Sequence, residues 1–227
     1  MTLEQHDDGL WSKPVAQSFL GLHVGTRMTV VRLPSGGLWV HSPIALTAAL
    51  EDELRTLGPV AHIVAPNLYH HLYAGPMLET FDEARLHARP KLRTKCAGLR
   101  IDADLTEASA SEFEGVLEAV HIDGTMLDEV VFVHRPTRTL ISADLIENFK
   151  SSSHFMTRQY LKVSGIHGKP GVSRLLRPMF RQRKRARAAI DRLLSADFNR
   201  IVVSHGAIME DAGPDAVRDA YGWLPTR

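Results

Sequence analysis

Four strand-end positions in this 227-residue chain carry side chains able to ligate a metal. The stretch "APNLYHHLYAG" (65–75) sets His70 and His71 side by side just after the short apolar run "HIVAP". Asp144 ends "TLISAD", and His205 ends "RIVVSH" and is followed by Gly206. His41, which ends "LWVH", is a further candidate. Imidazole nitrogens with one carboxylate form the ligand set of Zn²⁺ and, more loosely, of Fe or Mn. An ion held in such a set with an open position lowers the pKa of a bound water and generates hydroxide at neutral pH. Each residue also has a plain structural reading. Adjacent residues after a strand point in different directions, so one of His70 and His71 can pack inward while the other faces water. A His70 bonded to a backbone carbonyl is as good a reading as a liganding one, and of the pair His71 is the favoured site residue. Asp144 can cap the segment "LIENF", and His205-Gly206 can be a turn into the last helix.

The elements that must position these residues follow from hydrophobic spacing. Residues 27–33 and 37–42 read as strands joined by "PSGG", a β-hairpin. Leu46, Leu50, Leu54 and Leu57 recur at helical spacing before the Gly58-Pro59 stop. "VAHIVAP" is a short buried strand. A helix over 76–86 and a strand in "ARLHARP" follow, and 91–128 reads as loop with short strands. "EVVFVHR" and "RTLISADLI" form a second hairpin around "PT", placing His134 in its turn, facing solvent or a neighbouring loop. The Ser-rich 150–158 and Gly/Pro-rich 163–173 read as loops, 174–194 as a helix, "RIVVSHG" as a strand and "DAVRDAYGWL" as a closing helix. Hairpins first and then strand–helix alternation suit a layered mixed α/β domain without internal repeats.

Composition narrows the functional classes. Lys+Arg 27 against Asp+Glu 26 gives a net charge of +1, so no global imbalance points to nucleic acid or membrane. The single cysteine, Cys96, excludes an internal disulfide framework and any multi-thiolate zinc site. With no base partner readable nearby, Cys96 is expected to be a plain or half-buried thiol. The polar, acidic "MTLEQHDDGLWSKP" is unlike a signal peptide, and no apolar run is long enough for a spanning helix, so a soluble cytoplasmic protein is expected. Residues 174–192 hold eight basic residues and one acidic. Leu176, Met179, Ala186, Ala189, Ile190, Leu193 and Leu194 share one face there, so the segment reads as an amphipathic helix with a solvated basic side.

The order strand–"HS", strand–"HH", strand–"AD", helix, strand–"SHG" resembles the metallo-β-lactamase-like superfamily. More narrowly, "TRMTVVRL", "GLWVHSP", "APNLYHHLY", "EVVFVHRPTRTLISADL" and "SHG" are similar to an uncharacterised branch of it, a domain family of unknown function. The resemblance spans Gly9 to the final helix. It implies a single domain over 1–227, an αβ/βα sandwich of two mixed β-sheets flanked by helices with the metal site at one edge. The superfamily's main motif, His-x-His-x-Asp-His, aligned on His71, sets His70 at the aspartate, Leu68 at the second histidine and Pro66 at the first. Neither Leu nor Pro ligates through its side chain, so the first metal site is expected to be absent; His121 fits its remaining histidine poorly. The second site falls on His70, His71, Asp144 and His205, and the first motif's strand-end aspartate falls on His41, where it would orient a ligand by hydrogen bonding. Four ligands on one ion leave a tetrahedral centre no open position unless it expands to five.

Two readings of function follow. In the first, one divalent ion (Zn²⁺ foremost, Fe or Mn otherwise) sits on these residues, His70, His71 and Asp144 carry catalysis, and a small ester, thioester or lactone is hydrolysed. In the second, the scaffold has lost its dinuclear site, is not an enzyme, and binds a small molecule or a partner protein. Nucleic-acid binding through the basic helix ranks last, and no membrane partner is expected.

Overall fold

A computed structural model describes residues 2–225. The chain opens with strands β1 (Glu4–Asp7) and β2 (Leu10–Val15), a small hairpin of β3 (Ser18–Phe19) and β4 (Leu22–His23), then β5 (Thr26–Arg32) and β6 (Leu38–His41). Helices then alternate with strands: α1 (Ala48–Leu57), β7 (Val60–Ala65), α2 (Ala74–Thr80), β8 (Arg85–Ala88), α3 (Pro90–Lys95) and β9 (Ala103–Asp104). A 3-10 helix (Glu107–Phe113) leads to β10 (Leu117–Ile122), β11 (Glu129–His134) and β12 (Thr139–Ser142). The last part holds α4 (Phe155–Ser164), a 3-10 turn (Arg177–Met179), α5 (Arg183–Leu193), β13 (Arg200–Val203) and α6 (Pro214–Ala220).

Two mixed sheets result. One has the order β1-β2-β5-β6-β7-β8-β9 and the other β10-β11-β12-β13. In the first, β6, β7, β8 and β9 run parallel; in the second, only β12 and β13 do. The near-continuous apolar runs that form these strands are buried on both faces, and the two-residue period divides each run between two layers. Trp39, Val64, Val130, Phe132 and Ile141 meet in the layer between the sheets. Their chain neighbours Leu38, Val40 and Ile63 face outward under α1 and α2, while Val131, Val133 and Leu140 face the α5 and α6 side. This is the αβ/βα sandwich of two mixed sheets and outer helices.

Several local expectations change. The first helix starts at Ala48, because Thr47 caps it by accepting from Leu50 N. The helix expected over 76–86 ends at Thr80, since Arg85–Ala88 is drawn into parallel pairing with β7. The stretch 91–128 contains α3 and the full-length strand β10, whose mixed "LEAVHI" pattern became a strand by pairing all six residues with β11. Residues 155–158 and 163–164, expected in loops, join the unassigned 159–162 in α4, which forms around buried Thr157, Leu161 and Ser164 and is ended by Gly165 at φ +76°. The expected helix 174–194 is broken at its start: Pro178 lies in a 3-10 turn, and α5 begins only at Arg183. His134 is the last residue of β11, not a turn residue, and it is buried, with Nδ1 2.8 Å from Thr137 Oγ1.

Buried neutral histidines make the fold acid-sensitive. His87 is fully buried and His134 nearly so. Burial, with the charge of His62 adding to it, pushes His87 down to about 3, and burial pushes His134 down to about 4, from 6.5. Between those values and 6.5 the unfolded chain binds more protons than the folded one. The stability these groups contribute is therefore complete above pH 6.5 and is lost as pH falls through the folded values. A urea melt at pH 4 should show a loss on the order of 3 kcal/mol per histidine relative to pH 7, with a shallower pH dependence in His87→Gln. A melt insensitive to pH over this range would contradict the assignment.

Candidate functional site

The carboxyl ends of β6, β7, β12 and β13 lie at one edge of the sandwich, and the turns that follow them carry the side chains of interest. β7 delivers Asn67 and His70, β12 delivers Asp144 and β13 delivers His205. β11 runs antiparallel to β12, so its first residue, Glu129, starts from the same edge. Strand ends are rigid, and the short turns leaving them hold their side chains with little freedom.

His70, Asp144 and His205 converge. His70 Nε2 and His205 Nε2 lie 3.2 Å apart, and Asp144 Oδ1 is 3.4 Å from the first and 3.2 Å from the second. An ion bound tetrahedrally at about 2.0–2.1 Å sets its ligand atoms about 3.3–3.4 Å from one another. The triangle therefore has the dimensions, and the nitrogen and oxygen donors, that could hold such an ion.

The outer nitrogens of both rings are held. His205 Nδ1 donates to Gly25 O at 2.9 Å, and His70 Nδ1 meets Ser42 Oγ at 2.6 Å. Partners of this kind fix ring orientation and turn Nε2 toward the centre. Burial alone would raise the Asp144 pKa, but the His70 and His205 imidazoles outweigh it and hold the carboxyl well below the usual range. Burial would conversely lower His205, yet the hydrogen bond and charge of Asp144 carry it up to about 9. The carboxylate thus favours positive charge at Nε2, whether a proton or an ion.

Asn67 locks this arrangement from beneath. Fully buried, it donates from Nδ2 to Asp144 Oδ2 at 2.8 Å, leaving Oδ1 for the two imidazoles. Its Oδ1 accepts from Tyr69 N and His70 N at 2.8 and 2.9 Å, fixing the turn that presents His70. Glu129 accepts from Ala143 N and Asp144 N at 2.7 and 3.0 Å. Burial, and secondarily the Asp144 charge, push Glu129 up to about 8.

The other sheet clamps the His205 turn. Arg27 of β5 donates to Val203 O at 3.0 Å and to Gly206 O at 2.9 Å, on either side of His205, and to Ser12 Oγ at 3.0 Å. Gly206 has φ +98°, and a Cβ there would lie 2.2 Å from Asn148 O. Only glycine permits this approach.

The remaining sequence candidates lie elsewhere. His71 is outside the converging group: its ring sits 3.7 Å (Nδ1) and 3.9 Å (Nε2) from Cys96 Sγ, and burial with the Lys95 charge lowers its pKa. The favoured member of the histidine pair is thus displaced by its neighbour, because Asn67 pins the His70 backbone and turns the next side chain toward α3. Cys96 accordingly has a histidine neighbour that its sequence context did not disclose. His41 does not orient a ligand by hydrogen bonding. It is fully buried beside Trp39 and Phe132, both ring nitrogens lack partners among the described residues, and Ser42 contacts His70 instead. His121 pairs with Asp128 at 3.0 Å, away from the group.

Sequence reasoning missed Asn67, Glu129, Ser42, Gly25 and Arg27. Glu129 had a signal, a carboxylate opening an otherwise apolar strand, "EVVFV". Arg27 had a comparable one, a cation inside a run of residues destined for burial.

Two substitutions test this reading. Asn67→Ala removes four side-chain hydrogen bonds, one of them long, from a buried site and should cost about 2–4 kcal/mol in chemical denaturation. Gly206→Ala forces the His205 turn from Asn148; it should destabilise by about 2 kcal/mol or more and shift the His205 imidazole resonances in NMR. Wild-type stability in both variants would refute the locking role.

Comparison with known proteins agrees with this architecture. The DIM-1 metallo-β-lactamase exposed to ceftazidime is similar with a TM-score of 0.68 at 15% identity, over 97% of this chain and 95% of that one. A metallo-β-lactamase from Pontibacter korlensis matches at 0.64 and 14% identity over 97% and 98%. One from Hirschia baltica matches at 0.64 and 12% over 99% and 98%. At these identities the likeness establishes the fold alone. None of the curated proteins compared matches the chain. The family model of a domain of unknown function, DUF4336, matches residues 7–159. The chain belongs to the DUF4336 family and has the metallo-β-lactamase fold.

Proposed function

We propose that this protein is a mononuclear metal-dependent hydrolase whose single divalent ion, Zn²⁺ foremost and Fe or Mn otherwise, is held by His70 Nε2, Asp144 Oδ1 and His205 Nε2. The observation that carries the reading is the triangle of ligand atoms 3.2–3.4 Å on a side. With His71 turned to Cys96, the ligand set falls from four to three, and a tetrahedral centre then keeps one position open, as catalytic sites do. A bound divalent ion supplies Lewis acidity toward a carbonyl oxygen and lowers the pKa of water. An ester, thioester or lactone of a small molecule is the substrate class this chemistry serves. The chain's own contribution is placement. Asn67 restricts Asp144 to one free oxygen, Gly25 and Ser42 aim the two rings, and Arg27 and Gly206 hold the His205 turn.

A non-catalytic scaffold is the second reading. It is favoured by Leu68, which occupies a ligand position of the superfamily's motif and packs against the apolar layer beneath α1 and α2.

Metal content decides between them. Purified without affinity tag or added metal, the protein should carry about one equivalent of Zn, Fe or Mn by mass spectrometry. His70→Ala, Asp144→Ala and His205→Ala should each lose it, and His71→Ala should keep it. A wild type that is empty and also takes up no added Zn²⁺ would sink the hydrolase reading and leave the scaffold. A one-ion protein then warrants hydrolysis assays on activated esters, thioesters and lactones.

A further inference from the structure

The near-neutral total charge, on which the expectation of no membrane partner rested, conceals a segregation. Eleven of the 27 Lys and Arg residues lie between 148 and 190, a stretch without Asp or Glu. The rest of the chain holds 16 basic residues against 26 acidic ones. α4 lies inside this stretch, and its polarity is inverted. Thr157, Leu161 and Ser164 face inward, whereas Phe155, Met156 and Val163 point outward, 59%, 59% and 65% exposed. At helical spacing, Phe155, Met156, Gln159, Lys162 and Val163 form one outer stripe. α1 behaves oppositely, turning Asp52, Arg55 and Thr56 to solvent over buried Leu50 and Leu54.

Cations frame that stripe. Lys150 precedes α4 and Lys162 lies on it. The loop after α4 is tied back by Gly168 N donating to Phe149 O, and Arg174 N donates to Ser164 O with its guanidinium against Gly165, while Lys169 of that loop lines a cleft with Asp211, Asp215 and Asp219. Among the described residues, none of Lys150, Arg158, Lys162, Lys169 and Arg174 pairs with a carboxylate. A second apolar projection sits beside the helix. The β3–β4 hairpin exposes Phe19 and Leu20, 57% and 87%, at its tip. It is docked on α4 by a stack of His23 on His154 at 3.8 Å and by His23 N donating to Thr157 Oγ1.

We infer that α4 and the β3–β4 hairpin form a docking face for an anionic lipid surface. The apolar stripe enters the boundary between headgroups and acyl chains, while the surrounding Lys and Arg side chains meet lipid phosphates and carboxylates. Charge complementarity selects an anionic partner. Outward Phe, Met, Leu and Val favour a bilayer over nucleic acid, whose recognition uses cations and stacking side chains and gains nothing from exposed aliphatic ones. The hairpin leads into Gly25, whose carbonyl holds His205, so the docked face adjoins the edge bearing the histidine–aspartate group.

Co-sedimentation of the full chain with vesicles tests this, comparing phosphatidylcholine alone with phosphatidylcholine containing phosphatidylserine. Partitioning should be at least about tenfold stronger on the anionic vesicles and should fall with added salt. The double variants Phe155→Asn/Met156→Asn and Lys150→Glu/Lys162→Glu alter only exposed side chains, which circular dichroism checks, and each should weaken it by about tenfold. The proposal fails if neither vesicle binds, if both bind equally, or if the Phe155/Met156 variant retains wild-type binding. Wild-type binding of single-stranded RNA, with no binding to either vesicle, would assign the face to nucleic acid instead.

Discussion

The arrangement of this site rests on a guanidinium buried between two sheets. Arg27 belongs to β5 of the seven-stranded sheet, but it donates to carbonyls flanking His205, which follows β13 of the other. Among the described residues it has no carboxylate in contact, and burial lowers its pKa. Arginine tolerates this because its charge cannot be shed at accessible pH and its five donors can each find an acceptor. Neutral oxygens satisfy it, and those oxygens belong to the turn that must not move. Sandwich packing sets the distance between the sheets through Trp39, Phe132 and their neighbours, while Arg27 fixes how the ends of β5 and β13 register across that distance.

A second constraint is the concentration of acidic groups at the same edge. Glu129 is buried and Asp144 partly so, and the two are joined through the Asp144 backbone N–H and through Asn67. Two like charges so close in a low-dielectric setting do not ionise together at little cost. The environment separates them: two imidazoles hold Asp144 ionised, whereas Glu129, facing backbone N–H groups and the charge of Asp144, is held toward its neutral form. Asn67 is suited to the space between, because an amide donates to a carboxylate and accepts from backbone at once. An aspartate there would add a third acidic group, and an alanine would leave Asp144 Oδ2 without its donor.

The strands that carry the site were legible because their apolar runs are long, and the sandwich followed from their order together with the resemblance of their flanking motifs. Three of the converging residues, His70, Asp144 and His205, were legible for the same reason, as ligating types at strand ends. The choice between His70 and His71 was not. It depends on Asn67 Oδ1 accepting from two successive backbone N–H groups, a local turn that leaves no hydrophobic period to read. α4 escaped because its outward face is apolar and its inward face contains Thr157 and Ser164, the reverse of the pattern that marks a surface helix. The role expected for His41 went to Ser42, one residue on, since the strand period sends His41 into the layer between the sheets and the backbone at Ser42 turns out of the strand at φ +53°.

The turn after β7, which carries Pro66 and Leu68, is held by backbone hydrogen bonds and apolar packing. Pro66 O accepts from Val130 N, Leu68 N donates to Leu127 O, and Lys95 Nζ donates to Leu68 O. These bonds tie the turn to the opposite sheet and to α3. A turn held this way stays formed with or without an ion, so His70 is presented in one orientation in either case. That makes the three-residue group a pre-organised site in which ligand binding need not offset the cost of ordering the loop.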